Sequence, residues 1–272
     1  MSKSGLEGYR ETLFAVICGV GMMLSGPGAT RSLAQDTAGA EIGLERSATQ
    51  AELTRLAEIC DSLGLRSQAE LSRSWMPAER RDCRILFLPT ELPRPLPDDA
   101  NQAHWARHFA AVRAKYAAHL FAQAEQYAQA GDEAAAYRLL CHVLREDPNH
   151  AAAKRILGPL VTAVEQRPRI RRATVPHPEF GWPAGSYSRV ETPHFSIVTR
   201  AEPKSTLALA EQMEVFLALW RQVFFPLWAP PGQLSERFLG RYRSWEKPSV
   251  MEVYLLRDRA EYLKILGVAE AD

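Results

Sequence analysis

Trp105, Phe109, Val112, Tyr116 and Leu120 follow one another at steps of three or four residues. That spacing places five large apolar side chains on one face of a helix running from about Ala100 to Ala130, and such a stripe must be covered by other elements. Asp98 or Asp99 is the expected cap, and the Pro-rich stretch Pro89 to Pro97 before it is a boundary in which helix cannot run. Upstream, Leu53, Leu56, Ala57 and Cys60 in "TQAELTRLAEICDSLGL" keep helical spacing as far as a stop at Gly64. "SQAELSRSWM" then reads as a second helix, so a helical hairpin is expected before the stripe. Ile85 to Leu88 reads as either a short strand or a segment collapsed on these helices.

His104 and His108 stand beside the stripe in "HWARH". Two imidazoles at i and i+4 share one helical face, which is the spacing of a zinc peptidase helix, but Trp105 holds the place of the Glu that activates metal-bound water in H-E-x-x-H. His119 lies about 16 Å further along the helix than His108. The pair therefore reads as flanking residues with apolar bodies and polar tips. No catalytic, cofactor-binding or metal-ligating residue is expected, and no cofactor.

The stretch "LFAQAEQYAQAGDEAAAYRLLCHVLREDPNHAAAKRILG" resembles a tetratricopeptide repeat. Leu120, Ala124 and Tyr127 fall on its first helix, Ala130 to Asp132 on its turn, Ala136 and Leu140 on its second helix, and Pro148 closes it; Val143 stands where the repeat usually has Ala. Ala151 to Leu157 looks like the start of another repeat. One repeat cannot bury its own face, so it must stack on the long helix and on the Thr49 to Met76 hairpin, giving a helical module over residues 47–165. Tyr127, Ala136 and Tyr137 form a candidate groove for a peptide or partner protein. The competing role is a scaffold that positions the next domain, favoured because no array of three repeats is present.

After Arg172 the composition changes. "RPRIRR", Arg167 to Arg172, opens an expected Pro/Arg-rich linker over residues 166–190. "FSIVT" alternates as a strand should, and "STLALAEQMEVFLALWRQVFFPLW" is an amphipathic helix with Leu209, Met213, Phe216, Leu217, Trp220 and Phe224 on its face. A loop leads to a second strand, "VMEVYLL", and a final helix begins at Asp258. The fold class is α+β: N-terminal helical, tetratricopeptide-like hairpins, then a partial α/β unit of strand, helix, strand and helix with both strands in one sheet.

The "TPHF.I" strand, the "E.ME.F...W...F" helix and the "V.LLRDR.EY" passage resemble the start of a family of exported bacterial proteins. The C-terminal domain of that family, of unknown function, is similar to peptidase MA-like gluzincins. The resemblance covers roughly residues 50–270, with 191–272 matching the N-terminal part of the gluzincin-like domain. It implies an H-E-x-x-H zinc helix beyond this opening, yet the chain stops at Asp272 and its seven His residues include no H-E pair. The chain is thus expected not to be an enzyme. It is either a truncated member of a metallopeptidase-like family, which is favoured, or a non-catalytic derivative in which the helical module does the work. The alternative is a zinc-dependent peptidase fragment that needs a missing C-terminal segment.

Lys and Arg total 33 against 32 Asp and Glu, a net charge of +1, so no overall field favours a nucleic-acid partner. At 272 residues with 46% hydrophobic content, the chain is long enough for one or two cores. Its N-terminus reads as a secretory signal: Lys3 and Arg10, the apolar run Leu13 to Leu24, then Ser32 and Ala34 at the small positions before a cut after Ala34. Export to the periplasm or cell surface is expected. The apolar run is too short for a stable membrane anchor, and Cys18 lacks the small residue that precedes a lipidated Cys. Cys60 and Cys83 either pair in the oxidising compartment or, with Cys141, are small buried apolar residues. Two strands alone would leave sheet edges and apolar helix surface uncovered. Residues from about 190 onward are therefore expected to be the less stable half, prone to association through Phe224, Phe225 and Trp228, with a protease-resistant fragment ending near Pro168 to Pro183.

Overall fold

The helical part begins with α1 (Leu33–Ser62), which Gly64 stops by taking a φ of 75°; this lets Leu65 N–H reach back to Cys60 O at 2.8 Å. The computed structural model describes residues 33–266 except 77–84, 89, 91, 93–98, 159, 161–165, 243–244 and 246–249, with residues 33–42 described by their backbone alone. The expected signal run Leu13 to Leu24 and Cys83 lie outside these residues, and the expected cut after Ala34 falls in the first turn of α1. Among the described residues no helix is long and apolar enough to cross a membrane.

α2 (Arg66–Ser74) and α3 (Ala100–Gln129) pack with α1. Asp99 caps α3 by accepting from Gln102 N–H, a bond worth about 1 kcal/mol. All five stripe residues of α3 are buried, and Leu53, Leu56, Ala57 and Cys60 of α1 join them in the core. The stripe is packing, as its spacing requires. Trp105 stacks on Phe109 at 5.2 Å and donates its indole N–H to Ser72 Oγ. Cys60 is a buried free thiol, and burial pushes its pKa up, away from the reactive thiolate. Ile85 to Leu88 forms no strand; it is a half-buried irregular segment.

α4 (Glu133–Glu146) follows the turn at Gly131, with Asp132 Oδ1 accepting from Ala135 N–H, and α5 (Ala151–Leu157) is capped by His150. The chain divides into two compact units. One is Met1–Ala130 with Cys141–Pro148; the other is Gly131–Leu140 with Asn149–Asp272. This division runs through α4 and differs from the expected boundary near residue 165. The reason is local. Glu133 accepts from the N–H groups of Gly232 and Ser235, and the Tyr137 ring lies 5.0 Å from Phe225 and 5.4 Å from Trp228, all within the second unit.

The second unit holds a four-stranded sheet in the order β1 (Arg169–Arg172), β2 (Ser188–Glu191), β3 (Phe195–Thr199), β4 (Met251–Leu255). β1, β2 and β3 are antiparallel neighbours, whereas β3 and β4 are parallel and joined through α6 (Pro203–Val223). α6 stops at its cap, Phe224, so the stretch read as one helix to Trp228 is broken and its end forms α7 (Phe225–Trp228); α8 (Gln233–Phe238) lies in the stretch read as a loop, and α9 (Arg259–Leu266) ends the described chain. The class is α+β, helices first and then a strand-helix-strand-helix unit.

Every residue of β3 is buried, because both faces of the sheet are covered. On one face Phe195 and Ile197 pack with Val190, Val253 and Leu255 against Leu207, Ala210, Met213 and Leu217 of α6. On the other, Val198 and Tyr254 meet Phe180, Trp182 and Tyr187. Residues 166–190 are therefore no simple linker: they supply β1, the first part of β2 and an aromatic cover over the back of the sheet. The two central strands thus have both faces covered, while β1 and β4 stand at the edges of the sheet among the described residues. Phe225, expected as an association point, is buried, while Phe216, expected on the buried face of α6, is 57% exposed.

Candidate functional site

The turn between β2 and β3 is built by Thr192, Pro193 and His194. Pro193 sets its φ for the bend, and Thr192 closes it, with its N–H donating to Phe195 O and its Oγ1 accepting from Phe195 N–H at 3.0 Å. His194 O accepts from Met251 N–H at 2.8 Å, tying the turn to the start of β4. This geometry places the His194 side chain against α6, whose inner line runs Thr206, Ala210, Glu214, Arg221.

Glu214 and Arg221 stand two helical turns apart, so they share that face. Glu214 Oε1 accepts from the His194 backbone N–H at 2.9 Å, and its Oε2 lies 2.7 Å from His194 Nδ1. Arg221 Nη2 reaches His194 Nε2 at 3.0 Å. A guanidinium has only donors, so Nε2 must accept and the ring proton must sit on Nδ1, facing the carboxylate. Burial raises the Glu214 carboxyl pKa, but the bonds from His194 and Thr192 outweigh it and hold the group below its ordinary range. The Arg221 carbonyl accepts from the Trp228 indole N–H, which fixes the end of the network. His194, Glu214 and Arg221 are each 8% exposed or less.

A carboxylate bonded to Nδ1 is the orienting half of a nucleophilic triad, in which Nε2 must remain open to take the proton of a hydroxyl or thiol. Here the guanidinium fills that place. The arrangement can lock the β2–β3 turn to α6; as it stands, it cannot accept a proton from a substrate.

A second buried network lies in the first unit. Arg113 and Arg145 stack on the Trp75 ring at 4.2 and 4.3 Å, while Glu146 Oε2 accepts from the Trp75 indole N–H at 2.7 Å and from Arg113 Nε at 3.2 Å. Arg145 bonds the other carboxylate oxygen at 2.6 Å and the Trp75 carbonyl at 2.8 Å. The His142 ring stacks on Phe87 at 3.7 Å, with its Nε2 3.4 Å from Glu146 Oε1, at the outer limit of a hydrogen bond.

Of the residues singled out in the sequence, Ala136 and Tyr137 are buried in the second unit and Tyr127 is half-buried in the first. Neither Ala136 nor Tyr137 presents its side chain to solvent. His104 and His108 face each other at 6.4 Å between ring centres, and the described residues contain no cluster of three or more His, Cys, Asp or Glu able to hold a metal. Periodicity alone does not find His194, Glu214 and Arg221, although all three lie in the stretches that carry the family resemblance. The usable signal is a Glu and an Arg seven residues apart on the same line as Ala210 and Leu217. Compared with models of known families, with curated proteins and with solved structures, the chain matches none.

Proposed function

We propose that this chain is a non-catalytic exported protein whose helical module acts as a scaffold or protein-interaction surface. The observation that carries this is how fully His194 and Glu146 are engaged by neighbouring buried groups. Both ring nitrogens of His194 are engaged, one by Glu214 and one by Arg221. A general base needs a free lone pair within reach of the proton it takes, and this ring offers none. In the first unit, Glu146 is taken up by Trp75, Arg113 and Arg145 in the same way. Burial of Ala136 and Tyr137 favours the scaffold over the groove. Export rests on the leader-like run Leu13 to Leu24.

The test is turnover of a mixed peptide substrate by the purified chain, with added zinc and with chelator. Intact peptides under both conditions are expected. Zinc-dependent hydrolysis that is abolished by His104→Ala or His194→Ala would contradict the proposal.

A further inference from the structure

β1 is an edge strand among the described residues, and all four of its residues, Arg169, Ile170, Arg171 and Arg172, are exposed. Its ladder with β2 continues into the bond from Ala173 N–H to Tyr187 O. Backbone groups alternate sides along an antiparallel strand, so those of Ile170 and Arg172 point to the open edge, ready for another strand. Ile170 sits opposite Val190, on the sheet face that packs on α6, and Arg169 and Arg171 project from the other face.

The charges on that second face are unbalanced. Arg171 stands opposite Arg189, and each has a distant or shared anion: Glu191 lies 3.6 Å from Arg171, and Glu252 lies 3.1 Å from Arg189. Arg167 and Arg169 have no carboxylate partner among the described residues. The Arg171 pair is largely solvent-exposed, so it is worth little and yields readily to a better-placed anion. A second copy of this chain is a poor occupant, because pairing β1 with β1 brings arginines together; this is also how charged edges keep copies of a protein apart.

We propose that the outer edge of β1 binds an acidic peptide in extended conformation, which adds to the sheet as a fifth strand. The required pattern is acidic, apolar, acidic: two carboxylates two residues apart meet Arg169 and Arg171, and the apolar residue between them lies beside Ile170. Backbone bonds to Ile170 and Arg172 supply the pairing, and the arginines select the sequence. This surface lies outside the helical module and does not depend on what that module does.

The test is titration of the whole chain with a blocked peptide having an Asp-Val-Glu core, against the same peptide N-methylated at Val and a Lys-Val-Lys counterpart. The acidic peptide is expected to bind, with affinity falling as salt rises. The double variant Arg169→Glu, Arg171→Glu should lose at least about tenfold and gain binding to the Lys-Val-Lys peptide. That gain also shows that the variant is folded. N-methylation should remove binding while leaving the charge intact, because it deletes the ladder donor. No binding by the parent chain, or binding unchanged by the charge reversal, would overturn the proposal. Equal binding of the N-methylated peptide, together with tight binding of a single-stranded oligonucleotide by the same arginines, would make the edge a general polyanion patch and overturn it too.

Discussion

Glu214→Leu is expected to destabilise the sheet-bearing unit by about 3–5 kcal/mol, since it leaves a buried guanidinium without its anion network and a buried imidazole without its acceptor. The loss has three parts. The His194 backbone N–H and Nδ1–H each lose a partner, the Arg221 charge loses a carboxylate held below its ordinary pKa, and the β2–β3 turn loses its tie to α6. Glu214→Gln keeps the shape and one acceptor, so its loss should be smaller. Urea unfolding followed by tryptophan fluorescence measures both, with Trp182 and Trp228 reporting from this unit. A loss under about 1 kcal/mol for Glu214→Leu would mean that the network contributes little beyond an exposed ion pair.

Glu146→Ala should act on a similar scale in the helical unit. Its carboxylate satisfies the Trp75 indole, Arg113 and Arg145, and Arg113 is 2% exposed, so truncation strands a buried charge. The same cluster makes stability depend on pH. Burial holds His142 below the ordinary imidazole pKa, with the Glu146 bond opposing it. The unfolded chain therefore binds a proton first as pH falls below about 6.5, and the stability present above that pH is lost on acidification. Burial alone would raise Glu146, but the His142 bond and the Arg145 charge hold its carboxyl below the ordinary range. Its contribution is present above the ordinary carboxylate pKa and is lost as pH falls through the depressed value, so both groups act in the same direction. Unfolding of this unit measured from pH 7.5 to 5 should show stability falling with pH, and His142→Phe should flatten that slope. A slope unchanged by His142→Phe would remove this residue as the cause.

The stripe on α3 is legible because five apolar residues repeat at one spacing on one element, and no partner has to be known to see it. β3 is legible as a strand, but its alternation does not reveal that both faces are covered. The cover comes from Phe180, Trp182 and Tyr187, in a stretch whose Pro, Gly and Arg content reads as linker and whose aromatics follow no period. α6 misleads in the opposite way. Phe216 counts toward an apolar face yet is exposed, while Glu214 and Arg221 are polar yet buried, because a paired charge can occupy a core line that hydrophobic counting reserves for apolar residues. The partners of Glu214 and Arg221 meet them through His194, on a different element, and that long-range meeting has no trace in local spacing.

The central claim is that the His194 ring is closed to chemistry, and the protonation pattern of its two nitrogens tests this most directly. Long-range proton–nitrogen correlation spectra of the labelled chain at neutral pH are predicted to show a protonated Nδ1 and an unprotonated Nε2 accepting from Arg221, with the Nδ1 proton lost from the hydrogen-bonded region in Glu214→Leu. A ring protonated at Nε2 with Nδ1 bare, or one whose Nε2 exchanges freely with water, would contradict the account and return His194 to consideration as a base.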